Sequence, residues 1–405
     1  FAGDWIKSSL DFEKNFKERK YEIFESVWKD KKDLIDFFPY LNKLRDRLIN
    51  KLSSDLNNIH NIDYPLKFWK ILINPWLHVY LEAIYTRLEM INRILNKKEN
   101  LNFIYLNNLR HLDAPFDVRD FTESIRSSDV YNQFVFQKII NYFTDIKENK
   151  YLKLIYSNEK ISKKENSVFL NIYKKQNYVR RFINLCLKYL TRDNKFFLEL
   201  NSLGFIFILL NFKLNQIPFK DYEFFTYNNY YKLYENKSVS NPELRKKIFF
   251  EFDKKNDYEN FLSRNFSKDI PKFLIEDFST IQNFIKKIPY KSKIIVSDIK
   301  HEYDTIFKFW VANSVKNGSK LITSDHGGAY GFHHSIMHED IADTAIRWWK
   351  PIKSNNVQLP VLHLLNKRRK KNKNKRKYLL TVGHDGTKYP KDVFLGPISN
   401  QMFLA

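Results

Sequence analysis

Leu41, Leu44, Leu48, Leu52 and Leu56 recur at steps of three and four through "YLNKLRDRLINKLSSDLNNIH". Steps of that size place them on one face of an α-helix. The stretch "INPWLHVYLEAIYTRLEMINRIL" repeats the pattern, with Leu77, Tyr80, Leu81, Ile84, Leu88, Ile91 and Leu95 on one side. Glu89 and Arg93 lie one turn apart on the other side, as an opposite-charge pair. Asn74 is placed to cap this second helix, and Pro75 suits its first position. Residues 1–100 therefore read as a helical segment packed on whatever follows.

The pattern weakens between 101 and 290. "LNFIYLNNL" reads as a strand, and "DAPFDVRDF" as a turn leading into a helix. "LGFIFILLNF" (203–212) is about half the length a membrane span needs, so it reads as a buried strand or core helix. Cys186, within the apolar pattern "RFINLCLKYL", reads as a core residue. After 290 the order is plain. "SKIIVSDI" (292–299) is a strand, Asp304 caps a helix over "TIFKFWVANSVKN", Gly318 ends that helix, and "KLITS" (320–324) is the next strand. Strand, helix and strand make a βαβ unit of a parallel sheet. A second such beginning, "RKYLLTVGHDG", follows the polar run 366–377. The chain therefore divides into 1–100, an α/β domain over 101–365, a basic linker at 366–377, and the first residues of a second α/β domain at 378–405. On this reading the chain is a fragment.

Composition changes this picture little. The net charge is +23, and nine of the eleven residues 367–377 are basic, leaving +14 for the rest. That charge fits a polyanionic partner or a membrane face, and it also fits the Lys- and Asn-rich coding bias of an AT-rich genome. A single cysteine excludes an intramolecular disulfide and any cysteine-based metal centre within one chain.

The chain has only 9 glycines and 10 histidines. Three of these glycines and four of these histidines fall within "SDHGGAYGFHHSIMHEDIADTAIRWW" (324–349). The stretch follows a strand, at the carboxyl edge of the sheet, where α/β proteins bind ligands. Gly327, Gly328 and Gly331 let the backbone approach a ligand closely. A helix from about Glu339 to Trp349 would point its amino end at that loop and favour an anion. His326, at the strand end, has the residue type for acid–base work. Glu339 and Asp343, one turn apart, would share a face suited to sugar hydroxyls or cationic partners. His334 and His338 have metal-like spacing, but no Glu stands between them as zinc-protease motifs require. No metal and no cofactor is therefore expected.

At these residues the chain resembles a family of transferases encoded in bacterial O-antigen and surface-polysaccharide loci. "FWKILINPWLHVYLEAIYTRLEMI" (68–91) is similar to a Trp-rich helix ending in an aromatic-x-Arg element, here Tyr85 and Arg87. "FKFWVANSVKNGSKLITSDHGGAYG" (307–331) is similar to a helix, strand and His-Gly-Gly turn, and "HEDIADTAIRWW" (338–349) to a Glu, Ile-Ala-Asp and Trp pattern. Two departures stand out: Asp325 replaces an expected Gln, and Trp348 and Trp349 are adjacent where a Gly would separate two aromatics. The family is also longer than this chain.

The resemblance implies a glycosyltransferase of the GT-B type. Its architecture would be an α/β fold with a helical amino-terminal layer, a Rossmann-like acceptor-side domain, and a second Rossmann-like, nucleotide-sugar-binding domain largely truncated here. The nucleotide-sugar would be a co-substrate, and the acceptor a glycan or lipid-linked glycan of an O-antigen- or capsule-like lipopolysaccharide pathway. His326 becomes the first candidate for the catalytic base, with Asp298 and Asp325 behind it. Gly327, Gly328, Tyr330, Gly331, Glu339, Asp343 and Arg87 become candidates for substrate binding. Such an enzyme is expected in the cytoplasm, at the inner face of the membrane, with no specific nucleic acid, and the fragment alone is expected to be inactive. Two other classes compete: a basic nucleic-acid-binding protein led by 367–377, and a metal-dependent hydrolase using the His326–His338 cluster.

Overall fold

In a computed structural model, residues 31–97, 100–107, 112–146, 152–158, 193–200, 204–218, 224–252, 256–326, 337–348 and 353–360 are described, with a few isolated positions between them. The linker 366–377, the second-domain start at 378–405 and the loop residues Gly327, Gly328, Tyr330, Gly331 and His334 lie outside the described residues.

The long amino-terminal helices form as the leucine stripe predicts. Helix α1 spans Lys31–His60, and Leu41, Leu44, Leu48, Leu52 and Leu56 are all buried. Helix α2 spans Leu66–Leu95 and begins after Pro65, nine residues before the proline expected to start it. Pro75 lies inside α2, and Asn74 is buried within it rather than capping it. The reason is burial. Phe68, Trp69, Ile71, Leu72 and Ile73 are 0% exposed, so tertiary packing carries the helix through the residues before Pro75. α2 is the axle of the fold. It packs against α1, against α3 (Val118–Ser127) and α4 (Asp129–Ile146), and against four helices of the carboxyl half described below, two of them extensively.

Strand β1 (Leu101–Leu106) pairs in parallel with β2 (Leu152–Ser157), Leu101 opposite Leu152, and α3 and α4 connect them. Asp117 caps α3 by accepting the Asp120 N–H at 2.9 Å. Strand β3 (Phe196–Glu199) then opens a separate five-stranded sheet. Helix α5 (Gly204–Lys213) follows, where the apolar run 203–212 reads as a core element. It is a helix, but Phe205, Ile208, Leu209 and Phe212 on it are exposed. Cys186 is exposed as well.

Helices α6 (Tyr227–Glu235), α7 (Pro242–Lys246), α8 (Asp257–Asp269) and α9 (Phe278–Ile285) lead to strand β4 (Ile294–Ser297). A short helix α10 (Lys300–Tyr303) precedes α11 (Thr305–Lys316), which Asp304 caps as expected by accepting the Phe307 N–H at 3.0 Å. Gly318, with φ +99°, turns the chain out of α11 in a left-handed conformation that side chains rarely adopt. Strand β5 (Lys320–Ser324), helix α12 (Met337–Ile341), strand β6 (Thr344–Arg347) and strand β7 (Asn356–Gln358) complete the sheet. Its order is β3-β4-β5-β6-β7, all parallel. α11 and α12 both seat on α2.

The helix expected from Glu339 to Trp349 is therefore split. α12 stops at Ile341, and Thr344–Arg347 is a strand. Asp343 accepts the Leu321 N–H at 2.8 Å and donates its own N–H to the Leu321 carbonyl at 2.8 Å, which draws the chain beside β5. Thr344, Ala345 and Ile346 then find ladder partners in β5 that a helix would deny them.

Candidate functional site

The first three strands of the large sheet each deliver an acid or a histidine to the same edge. β3 ends in Glu199, β4 is followed by Asp298, and β5 by Asp325 and His326. Parallel pairing puts them in register: Glu199 is opposite Ser297, and Ser297 is opposite Thr323. His326 is 42% exposed, and its Nδ1 stands 3.5 Å from Oδ2 of Asp298, which is 7% exposed. Two of the residues singled out from the sequence are thus brought together. With Nδ1 turned to a carboxylate, Nε2 is the nitrogen that can take a proton, and Asp298 would stabilise the resulting imidazolium. A separation of 3.5 Å is long for a hydrogen bond, as is common before substrate tightens a site.

Glu199 was not legible as a site residue. Its Oε2 accepts the Ser297 hydroxyl at 2.8 Å and the N–H groups of Asp298, Ile299 and Lys300 at 3.2, 3.3 and 3.2 Å. Burial, and then the nearby Asp298 charge, push its carboxyl up to about 7. A signal was present: "IIVSD", "LITSD" and "FFLEL" are each a short apolar run followed by an acid.

Asp325 and Glu339 are committed elsewhere. Arg347 is buried, with Nε 3.3 Å from Asp325 Oδ1 and Nη1 3.2 Å from Glu339 Oε1. Asp325 also accepts the Trp348 N–H at 3.1 Å, and Glu339 accepts the Asn356 amide at 2.7 Å. Burial raises both carboxyls, and Arg347 offsets part of that rise. This ionic unit joins β5, α12, β6 and β7. Asp343 does not share a face with Glu339, because the helix has ended; its Oδ1 is 2.5 Å from Lys67 Nζ at the start of α2. Arg87 is buried in helix packing, where it donates from Nε and Nη2 to Asn132 Oδ1, from Nη1 to the Ala83 carbonyl and from Nη2 to the Ile125 carbonyl. The structure brings neither Arg87 nor Asp343 to the His326–Asp298 pair.

The histidine cluster also takes a form the sequence did not suggest. His338 meets His301 and Glu302, not His326. These three are the one group among the described residues whose ligand atoms could surround an ion, all within 4.8 Å of one another. Yet His301 Nε2 and His338 Nδ1 are 2.6 Å apart. That is hydrogen-bond spacing. Two nitrogens on one tetrahedral zinc would stand about 3.3 Å apart, given bonds near 2.0–2.1 Å. Burial lowers His301 to about 3 and holds His338 well below the usual histidine value, so both rings are neutral.

A groove of about 940 Å³ is lined by Tyr131, Phe134, Tyr142, Arg245 and Arg264 among others, and includes none of the edge residues. The groove has shifted groups of its own, among them Asp113 and Tyr142, but the sheet edge is where a partly exposed histidine stands against a buried carboxylate. No helix among the described residues is long and apolar enough to cross a membrane.

No solved structure and no curated protein shows significant similarity to this chain. A family model does, over residues 1–404. The chain belongs to the LIC12162 family of transferases.

Proposed function

We propose that the group transferred is a sugar, moved from a nucleotide-activated donor to a growing surface-polysaccharide acceptor by an enzyme of GT-B architecture. The observation that carries this reading is the His326–Asp298 pair at the carboxyl edge of the sheet. In the reaction the acceptor hydroxyl gives its proton to His326 Nε2 as its oxygen bonds to the anomeric carbon. The bond from that carbon to the donor's phosphate oxygen breaks, and the nucleotide leaves with the electron pair. Asp298 holds the imidazolium that forms. Residues 101–365 serve as the acceptor side, and Gly327, Gly328, Tyr330 and Gly331 are its substrate-binding candidates. The ionic unit of Asp325, Arg347 and Glu339 braces the floor of that side. The basic run 367–377 suits the anionic inner face of the membrane, where lipid-linked acceptors reside.

The test uses the full chain. Thermal shift against CMP-, UDP-, GDP- and dTDP-linked sugars should find one nucleotide class that raises the melting temperature. His326→Ala should then lower turnover by about 10²–10⁴-fold with an unchanged melting temperature. Full turnover in His326→Ala, or no stabilisation by any nucleotide-sugar, would overturn the proposal.

A further inference from the structure

Behind the His326–Asp298 pair runs a line of buried polar groups, three hydrogen bonds and one close contact. Glu199 Oε2 meets Ser297 Oγ at 2.8 Å, and Ser297 Oγ meets His301 Nδ1 at 2.9 Å. His301 Nε2 meets His338 Nδ1 at 2.6 Å, and His338 Nε2 lies 3.1 Å from Glu302 Oε1. The last contact is close but falls short of hydrogen-bond alignment, so it is the loosest of the four. All five residues are at most 6% exposed. We propose that Glu199, Ser297, His301, His338 and Glu302 form a proton relay that holds one mobile carboxyl proton and passes it between its two acids.

The argument is a count of hydrogens. The three hydrogen bonds need one proton each, and at 3.1 Å the His338 Nε2 and Glu302 Oε1 lone pairs would repel unless a proton lies between them as well. Ser297 and two neutral imidazoles supply three. The fourth must come from a carboxyl at one end. If Glu302 carries it, Glu302 donates to His338 Nε2, His338 Nδ1–H to His301 Nε2, His301 Nδ1–H to the Ser297 oxygen, and the Ser297 hydroxyl to an ionised Glu199. If Glu199 carries it, every bond reverses, and both rings become Nε2–H tautomers with Glu302 ionised. Four short hops interconvert the two states, and neither ring is left charged. No co-reactant is needed.

Position gives the relay its use. Glu199 adjoins Asp298, which faces His326. A proton on Glu302 leaves a carboxylate beside Asp298 and so adds negative charge behind His326; a proton on Glu199 removes that charge. This service to His326 rests on its reading as the base, whereas the relay itself does not. The other charged and titratable groups facing the line are Lys308 and His326 at His301, Arg347 and His78 at His338, and Lys308 at Glu302.

The experiment is long-range ¹H–¹⁵N correlation on ¹⁵N-histidine-labelled full chain, without donor or acceptor, so its failure is separate from failure of the sugar-transfer reading. In the wild type both rings should be neutral and in matched tautomers. Glu302→Met should drive both to Nδ1–H, and Glu199→Met and Ser297→Ala should drive both to Nε2–H. Where a substitution fails to fold, the wild-type spectrum and Ser297→Ala decide. Opposite tautomers on the two rings, an imidazolium signal at neutral pH, the same tautomer in Glu302→Met and Glu199→Met, Nδ1–H rings in Ser297→Ala, or one equivalent of bound metal would each overturn the relay.

Discussion

Helix α2 and the carboxyl edge of the five-stranded sheet each bury a cluster of side chains, largely by opposite means. Around α2, Phe68, Trp69, Ile71, Leu72, Trp76 and Leu77 are 0% exposed and pack against other apolar groups. At the edge, Glu199, Ser297, Asp298, His301, Glu302 and His338 are buried too, and each is polar. Apolar burial is non-directional and needs only shape and area. Polar burial costs free energy unless every donor and acceptor finds a partner, so the edge depends on particular distances and protonation states. The lesson is that the two regions should fail differently: the first through cavities, the second through pH and through single atoms.

The largest effect tests the scaffold. Trp76 is fully buried against Tyr80 and Phe266, with ring centroids 5.0 and 5.9 Å away. Trp76→Ala should cost about 3–5 kcal/mol, read as a lower urea midpoint. Because α11 and α12 seat on α2, the edge should be lost in the same transition; an edge that outlives the helix would break the comparison.

A middle-sized effect tests the edge. His301 titrates near 3 in the folded chain and near 6.5 when unfolded. Between these values the unfolded chain binds a proton the folded one refuses, so stability falls as pH drops, by about 1.4 kcal/mol per pH unit. Glu199 runs the other way. Raised from 4.5 to about 7, it contributes stability that is complete at low pH and lost as pH rises through 7. Urea midpoints at pH 6.5 and pH 5 should therefore drop less in His301→Gln than in the wild type, and more in Glu199→Gln. Equal drops in all three would show that the edge is not buried as described.

The smallest effect is a control on the outer face of α2. Glu89 and Arg93 form their expected pair at 2.7 Å, both partly exposed. Glu89→Ala should change stability by less than about 0.5 kcal/mol, and added salt should shrink the difference.

Much of the fold was legible because its elements obey local rules. The leucine spacing of α1 survives intact, Asp304 and Gly318 bound α11 as their chemistry requires, and β4 and β5 fall where the apolar runs are. The errors have physical causes. Pro75 looks like a helix start only while the apolar residues before it are ignored, and it is their tertiary burial that carries the helix through them. Glu339 and Asp343 have helical spacing, but pairing with β5 offers residues 344–346 a better arrangement than another turn. In the candidate site, Asp298 and His326 were both in view, since each follows a recognisable strand. Glu199 was not, because its strand lies among aromatic runs with no clear period.

By itself, the sequence determined which segments must bury an apolar face and where a parallel sheet would present its carboxyl edge, since both follow from spacing and from residue type. Only the tertiary structure decided which polar groups meet there. Residues 199, 298 and 326 become neighbours through strand order, and His301 reaches His338 across 37 positions of chain. Hydrogen bonds act over about 3 Å and depend on direction. No pattern along the chain encodes such a meeting until the strands that carry it are in place.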